Sequence, residues 1–129
     1  MEEIGRDKTW QSSKYWSSYK NEKQNMKSQE RKGYPVYTGL VKYFPLALIE
    51  ISRCSQVGND QHHPDTELHW DREKSGDELD AMMRHLIDHS SGDIYDDDGV
   101  RHLCKVAWRA LAALQKAVEL EKDIKKIDE

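Results

Sequence analysis

A chain of 129 residues that is 36% hydrophobic and 34% charged, with a net charge of −4 and a mean hydropathy of −0.96, has room for one modest core and excludes fibrous and membrane-spanning classes. The charge is divided: residues 1–33 carry +3 and the remaining 96 carry −7. That division argues against a nucleic-acid-binding core, and it asks for metal ions wherever the acidic part meets a phosphate-bearing ligand.

The first segment, residues 1–33, is rich in Lys, Ser, Gln and Asn and reads as a polar arm. Its large apolar groups, Trp10, Tyr15, Trp16 and Tyr19, are expected to dock on the body or on a neighbouring subunit, because an indole left in water gains nothing. Gly33-Tyr34-Pro35 and Thr38-Gly39 mark a turn-rich passage, and Tyr34 to Val41 is the only stretch with any strand signal. Pro45 suits a first helical turn, so a helix is predicted over 45–57, with Leu46, Ile49, Cys54 and Val57 as its stripe and Gly58-Asn59 as its stop. Residues 58–73 have no period and form a loop rich in functional groups. Ser75 as N-cap, Asp77 and Glu78 in the first turn, and Leu79, Met82, Met83, Leu86 and Ile87 at helical spacing predict a second helix over 76–89. The acidic turn Asp93–Asp98 leads into a third over 98–121, where Val100, Leu103, Ala107, Ala110, Leu114 and Ala117 are expected to form a seam for close helix packing. Residues 122–129 are a charged tail. The expectation is an all-α small helical bundle spanning 34–121.

Cys54 and Cys104 lie far apart without CxxC spacing, Met1-Glu2-Glu3 does not open like a signal peptide, and Pro45–Ile49, the longest apolar run, is too short for a bilayer. A soluble cytoplasmic protein with reduced thiols is expected.

Several residues carry chemistry. Asp77 and Asp80, three positions apart on a helix, place two carboxylates on one face, where they suit either a divalent ion or a solvated surface. Glu50 stands within LALIEIS, and if it faces the core it needs a metal or an arginine. His85 and His102 show no HEXXH spacing and no nearby Cys, which argues against zinc and leaves them as hydrogen-bonding groups near a polar pocket. Arg84 follows Asp80 by one turn, and Lys105 and Arg109 repeat that spacing, which suits either a salt bridge or a polyphosphate. P-loop and Rossmann fingerprints are missing from the sequence.

YPVYTGLVKYFPLALIEIS, GNDQHHP, LHWDREKSGDELDAMMRHL and DDDGVRHLCKVAWRALAALQ together resemble the phage dATP/dGTP diphosphohydrolase N-terminal domain family, related to the MazG-like all-α NTP pyrophosphatases. The resemblance covers about residues 34–121. It implies hydrolysis of a purine deoxynucleoside triphosphate to the monophosphate and pyrophosphate, and a homo-oligomer, dimer or tetramer, in the cytoplasm of an infected host. MazG-like enzymes hold magnesium with EExxE followed by ExxD. Glu50 then stands for the first cluster and Asp77-x-x-Asp80 for the second, while Leu46, Ala47 and Arg53 supply none of the further carboxylates, and a multi-metal arrangement needs others such as Asp96 or Asp98. On this reading Glu50, Asp77 and Asp80 hold Mg²⁺ or Mn²⁺, and Lys74, Arg84, Lys105 and Arg109 stabilise phosphate charge. Trp70 stacks on the base, Asn59 or His62 contacts its edge, and His85 and His102 line the pocket. A nucleotide-binding module without turnover, and a phage accessory protein that binds a host protein, are the alternatives.

Overall fold

The computed structural model describes residues 14–74 and 76–128, and among them every regular element is helical. Four helices carry the chain: α1 (Lys14–Asn25), α2 (Pro45–His62), α3 (Glu78–Ser90) and α4 (His102–Asp128). Single turns lie at Ser28–Arg31, Tyr37–Val41 and Arg72–Lys74. The chain divides into two compact units, Met1–Pro45 and Leu46–Glu129. In the first unit Trp16 stacks on Tyr19 at 5.2 Å, with the Lys20 ammonium 5.7 Å from the Trp16 ring. The docking expected of Trp10 lies outside the described residues.

The strand signal at Tyr34 to Val41 resolves as a π-type turn over Tyr37–Val41. Pro35 sets a helical φ and accepts from the Gly39 N–H at 2.7 Å, and the Lys42 N–H closes the turn on the Tyr37 carbonyl at 2.8 Å. A Cβ on Gly39 would stand 3.1 Å from the Pro35 ring, so the turn is tight because that residue has none.

In the second unit each helix boundary has a local cause. Helix α2 begins at Pro45 as expected but runs past Gly58 to His62. A lone glycine costs a helix only about 1 kcal/mol, and the buried Asn59 repays it by donating its amide to the Thr66 carbonyl at 3.1 Å. Pro64 then disfavours helical backbone at His63 and ends the helix. Asp77, at the N-cap position of α3, makes no side-chain cap bond; Ser75, the expected cap, lies outside the described residues. Helix α4 starts at His102 rather than 98, because the Asp98 carboxylate accepts the Val100 N–H at 3.0 Å, Gly99 takes φ +80°, and Tyr95 bridges to Arg101. Its far end continues to Asp128.

Helices α3 and α4 pack as an antiparallel hairpin. His85 near the end of α3 meets His102 at the start of α4, and Glu78 at the start of α3 meets Lys116 four turns along. The inward faces are not those the apolar pattern predicts. On α3, Glu78 and Ala81 are buried while Leu79, Met83, Leu86 and Ile87 are exposed. On α4 the buried positions are His102, Cys104 and Ala112, with Trp108 half-buried between the last two. Of the expected seam only Val100 is buried: Leu103, Ala110, Leu114 and Ala117 are exposed and Ala107 is half-buried. On α2, Leu46 and Ile49 are likewise exposed. Polar groups occupy the inside where they find partners, Glu78 on Lys116, His102 on His85 and the Asn59 amide on Thr66, and the apolar stripes face outward. Val100, 1% exposed, is the best-buried side chain of the loop that joins the hairpin. Val100→Ala should destabilise the chain by about 2 kcal/mol, read as a lower urea midpoint with an unchanged slope.

Candidate functional site

The loop between α3 and α4 gathers Asp93, Asp96 and Asp98 against His85, His102 and Lys105. Asp96 donates its backbone N–H to the Val100 carbonyl at 2.9 Å, and the Gly99 N–H returns to the Asp96 carbonyl, so the loop folds back over the first turn of α4. This brings one ring nitrogen of His85, one of His102 and a carboxylate oxygen of Asp96 within 4.8 Å of one another. The two Nδ1 atoms are 2.9 Å apart. His102 Nε2 lies 3.3 Å from the Asp93 carboxylate, which, when it accepts that N–H, leaves the Nδ1 lone pair facing His85. Asp88 stands 3.8 Å from the same Nδ1. His102 itself is 3% exposed.

Lys105, on the next turn of α4, sends its ammonium into the same loop, 2.5 Å from Asp96 Oδ2 and 2.6 Å from Asp98 Oδ2. The Lys105 hydrogen bond holds the Asp96 carboxyl below its ordinary range. Burial opposes the charge on Asp98, yet the same ammonium and the Val100 N–H outweigh it and keep that carboxyl low as well. Burial also works against the ammonium, and its two carboxylates overcome this and push Lys105 up. Burial first, then the nearby Lys105 charge, hold the His85 imidazole below its ordinary 6.5, against the opposing pull of Asp96 and Asp88 and with His102 adding to the depression.

A second group follows along α4. Trp108 donates its Nε1–H to Ser55 Oγ of α2 at 2.8 Å and meets Trp70 edge to face at 5.7 Å. The Arg72 guanidinium lies 4.1 Å over the Trp70 ring and pairs with Glu119, while Lys116 bridges the buried Glu78 carboxylate at 3.0 Å and sits 5.7 Å from Trp70. Asn59 Oδ1 and Trp70 Nε1 are buried polar atoms with no protein partner. From His102 to Trp108 is six residues of helix, about 9 Å, so the two groups are spaced by one rigid element.

Of the residues singled out in the sequence, His85, His102 and Lys105 converge on the acidic loop, and Asn59 and Trp70 lie in the second unit's interior. Glu50, Asp77 and Asp80 are exposed, and among the described residues they do not come together as a metal-binding group. Glu50 lies near enough to Cys104 to raise its thiol pKa, after burial itself. Asp77 takes Arg84 at 3.3 Å and Arg109 at 3.8 Å, so the arginine expected to pair with Asp80 reaches the other aspartate. His62 is exposed, and the Lys74 side chain lies outside the described residues. Sequence reasoning set His85 and His102 aside as ligands because metal spacing rules work within one helix, and these two face each other across a hairpin. It passed over Asp93, Glu78, Arg72, Lys116 and Trp108; the seven-residue step from Glu78 to His85, two helical turns on one face, was the available signal.

Both cysteines are free, and burial pushes both thiols up, Cys54 to about 11, so neither supplies a thiolate near neutral pH. For His85 the sign is the reverse of a stabilising protonation. The unfolded chain takes its proton at 6.5 and the folded chain resists it, so this stability is complete above that pH and is lost as pH falls below it. Urea midpoints of the metal-free protein should drop from pH 7.5 to 5.5, and His85→Gln should flatten that drop; an equal pH dependence in the variant would contradict the assignment.

No described helix is long and apolar enough to cross a membrane. No curated protein and no solved structure matches the chain. The family model "dATP/dGTP diphosphohydrolase, N-terminal" matches residues 22–126, most of the chain, and with an all-helical fold consistent with the MazG-like superfamily, the chain belongs to the dATP/dGTP diphosphohydrolase N-terminal domain family.

Proposed function

We propose that this chain hydrolyses a purine deoxynucleoside triphosphate, dATP or dGTP, to the monophosphate and pyrophosphate with the help of a divalent cation. The observation that carries the reading is the convergence of His85, Asp96 and His102 in a member of a diphosphohydrolase family. The donor set fits a cation: two ring nitrogens 2.9 Å apart compare with about 3 Å for two ligands each about 2 Å from one ion, and Asp93 backs one imidazole in the way ligating histidines are oriented. Two imidazoles and one carboxylate are softer than the all-oxygen shell magnesium prefers, which favours Mn²⁺ of the two cations expected. When bound, such an ion supplies Lewis acidity to a phosphate oxygen and a more acidic water.

The protein's own groups do the rest. With the His102 Nδ1 lone pair facing it, neutral His85 donates from Nδ1 in the metal-free chain, and it takes a cation on that nitrogen by shifting the proton to Nε2. Arg84 and Arg109, now spread over Asp77, are the cations proposed for the α- and β-phosphates, with Lys105 one turn before Arg109 on α4. Trp70 and Trp108 line the base end, where Arg72 already covers one face of Trp70 and stacking uses the other. The buried Asn59 Oδ1 is an acceptor for an exocyclic amino group of a purine. Glu50, Asp77 and Asp80 serve in this reading as exposed acids that hold a cation only where a second chain completes the set.

A homo-oligomer belongs to the same proposal. Leu79, Met83 and Ile87 on α3, and Leu111, Leu114 and Val118 on α4, form exposed apolar stripes at helical spacing, more than a lone soluble chain usually leaves in water. Light scattering across a concentration series should give a mass above 15.1 kDa. The protein-binding alternative rests on exposed Tyr34, Tyr37, Tyr43 and Phe44 in the first unit.

The decisive experiment mixes the protein with Mn²⁺ or Mg²⁺ and each deoxynucleoside triphosphate and resolves the products by anion exchange. Monophosphate and pyrophosphate should form in equal amounts. His85→Ala and His102→Ala should each lower turnover about a hundredfold or more. Full activity in both variants together with loss in Asp77→Asn and Asp80→Asn would move the cation to the exposed acids, and no product from any nucleotide would leave a binding module.

A further inference from the structure

We propose that Lys105 is a built-in competitor for the divalent cation: its ammonium occupies the acidic loop of the metal-free chain, and loading the site requires Asp96 to pass from the ammonium to the ion. The inference rests on the assignment of His85, Asp96 and His102 as the cation group. Asp96 is the one carboxylate in that group, and its Oδ2 is the oxygen that Lys105 holds at 2.5 Å, while Oδ1 accepts the Asp97 N–H at 2.8 Å. Whichever Asp96 oxygen takes the cation, a carboxylate whose Oδ2 already touches an ammonium brings the two positive charges to close range, and their repulsion opposes loading.

The neighbouring contacts show which bond gives way. Asp98 is anchored from three directions, by Lys105 at 2.6 Å, by the Val100 N–H at 3.0 Å and by the Gln61 amide at 3.5 Å. Asp96 has the shorter list, and its side chain is shared between the two roles. The lysine stem is long and flexible and its root lies three residues from His102 on the same helix, so the ammonium can leave Asp96 and stay on Asp98. It then stands beside the cation with hydrogen-bonding capacity to spare, the position from which a phosphate oxygen would be met. The consequence is a coupling. Nucleotide phosphates that take up the released ammonium ease entry of the cation, and the cation, by releasing the ammonium, eases entry of the nucleotide by the same factor. The lysine thereby disfavours a metal ion resident without substrate.

Two measurements on the full chain test this. Free Mn²⁺ is followed by electron paramagnetic resonance during titration, without nucleotide, of the wild type, Lys105→Met and Lys105→Arg, with circular dichroism checking that each is folded. Lys105→Met should bind about tenfold more tightly than wild type, and Lys105→Arg, which keeps the charge, should not. Independently of any variant, acylation of the Lys105 amine by an N-hydroxysuccinimide ester, read by mass spectrometry, should rise several-fold when Mn²⁺ is added to the wild type, with Lys20 as the exposed reference. If the wild type takes up Mn²⁺ with Lys105 labelling unchanged, or Lys105→Met binds no more tightly, this proposal falls and the metal assignment survives. If neither wild type nor Lys105→Met takes up Mn²⁺, the metal assignment falls and carries this proposal with it.

Discussion

The antiparallel seating of α3 on α4 is held at one end by the paired imidazoles of His85 and His102 and at the other by the Glu78–Lys116 ion pair. Every candidate function in the second unit depends on that seating, because it alone brings residues from two helices and one loop to a common place. The joining loop contributes through charge. Asp93, Asp96 and Asp98 would repel one another if left to solvent, and His102 and Lys105 draw them down over the first turn of α4. The helix N-terminus adds a favourable field for these carboxylates.

Charge also explains why so much of the inside is polar. The buried apolar residues are small, Ala81, Val100, Cys104 and Ala112, and the buried polar ones include Asn59, Glu78 and His102. Replacing a buried ion pair with well-packed hydrophobes often leaves stability unchanged or improves it. The Glu78–Lys116 pair is therefore better understood as fixing the register of α3 on α4 than as adding stability. A shift of one turn would bring His85 opposite a different residue and dissolve the cluster.

The positions of the long helices were largely legible in the sequence, because Pro45 and the acidic first turn near 77 are local signals that act through backbone geometry, whereas the turn at Gly99 moved the start of α4 from 98 to 102. The faces were not. Periodicity marks a stripe without saying what covers it, so the Leu103-to-Ala117 stripe read as an internal seam and lies outside except for the half-buried Ala107, whereas Cys104, Trp108 and Ala112 form the inner edge. The site divided in the same way. His85, His102 and Lys105 stood out as chemically capable groups, but pairing the histidines with Asp96 requires the hairpin, and a 17-residue separation carries no spacing rule. The Asp77–Asp80 pair drew attention through its three-residue step, while the buried acid was Glu78, next to Asp77.

Helix α4 is 27 residues long, about 40 Å, and α3 is 13, about 20 Å. The shorter helix braces the longer from His102 to Lys116 and leaves the final three turns without that support. One continuous rod thus has two mechanical regimes. Its braced part acts as a ruler that sets the spacing between imidazoles and indoles, and its outer part is tied back instead through the Arg72–Glu119 pair.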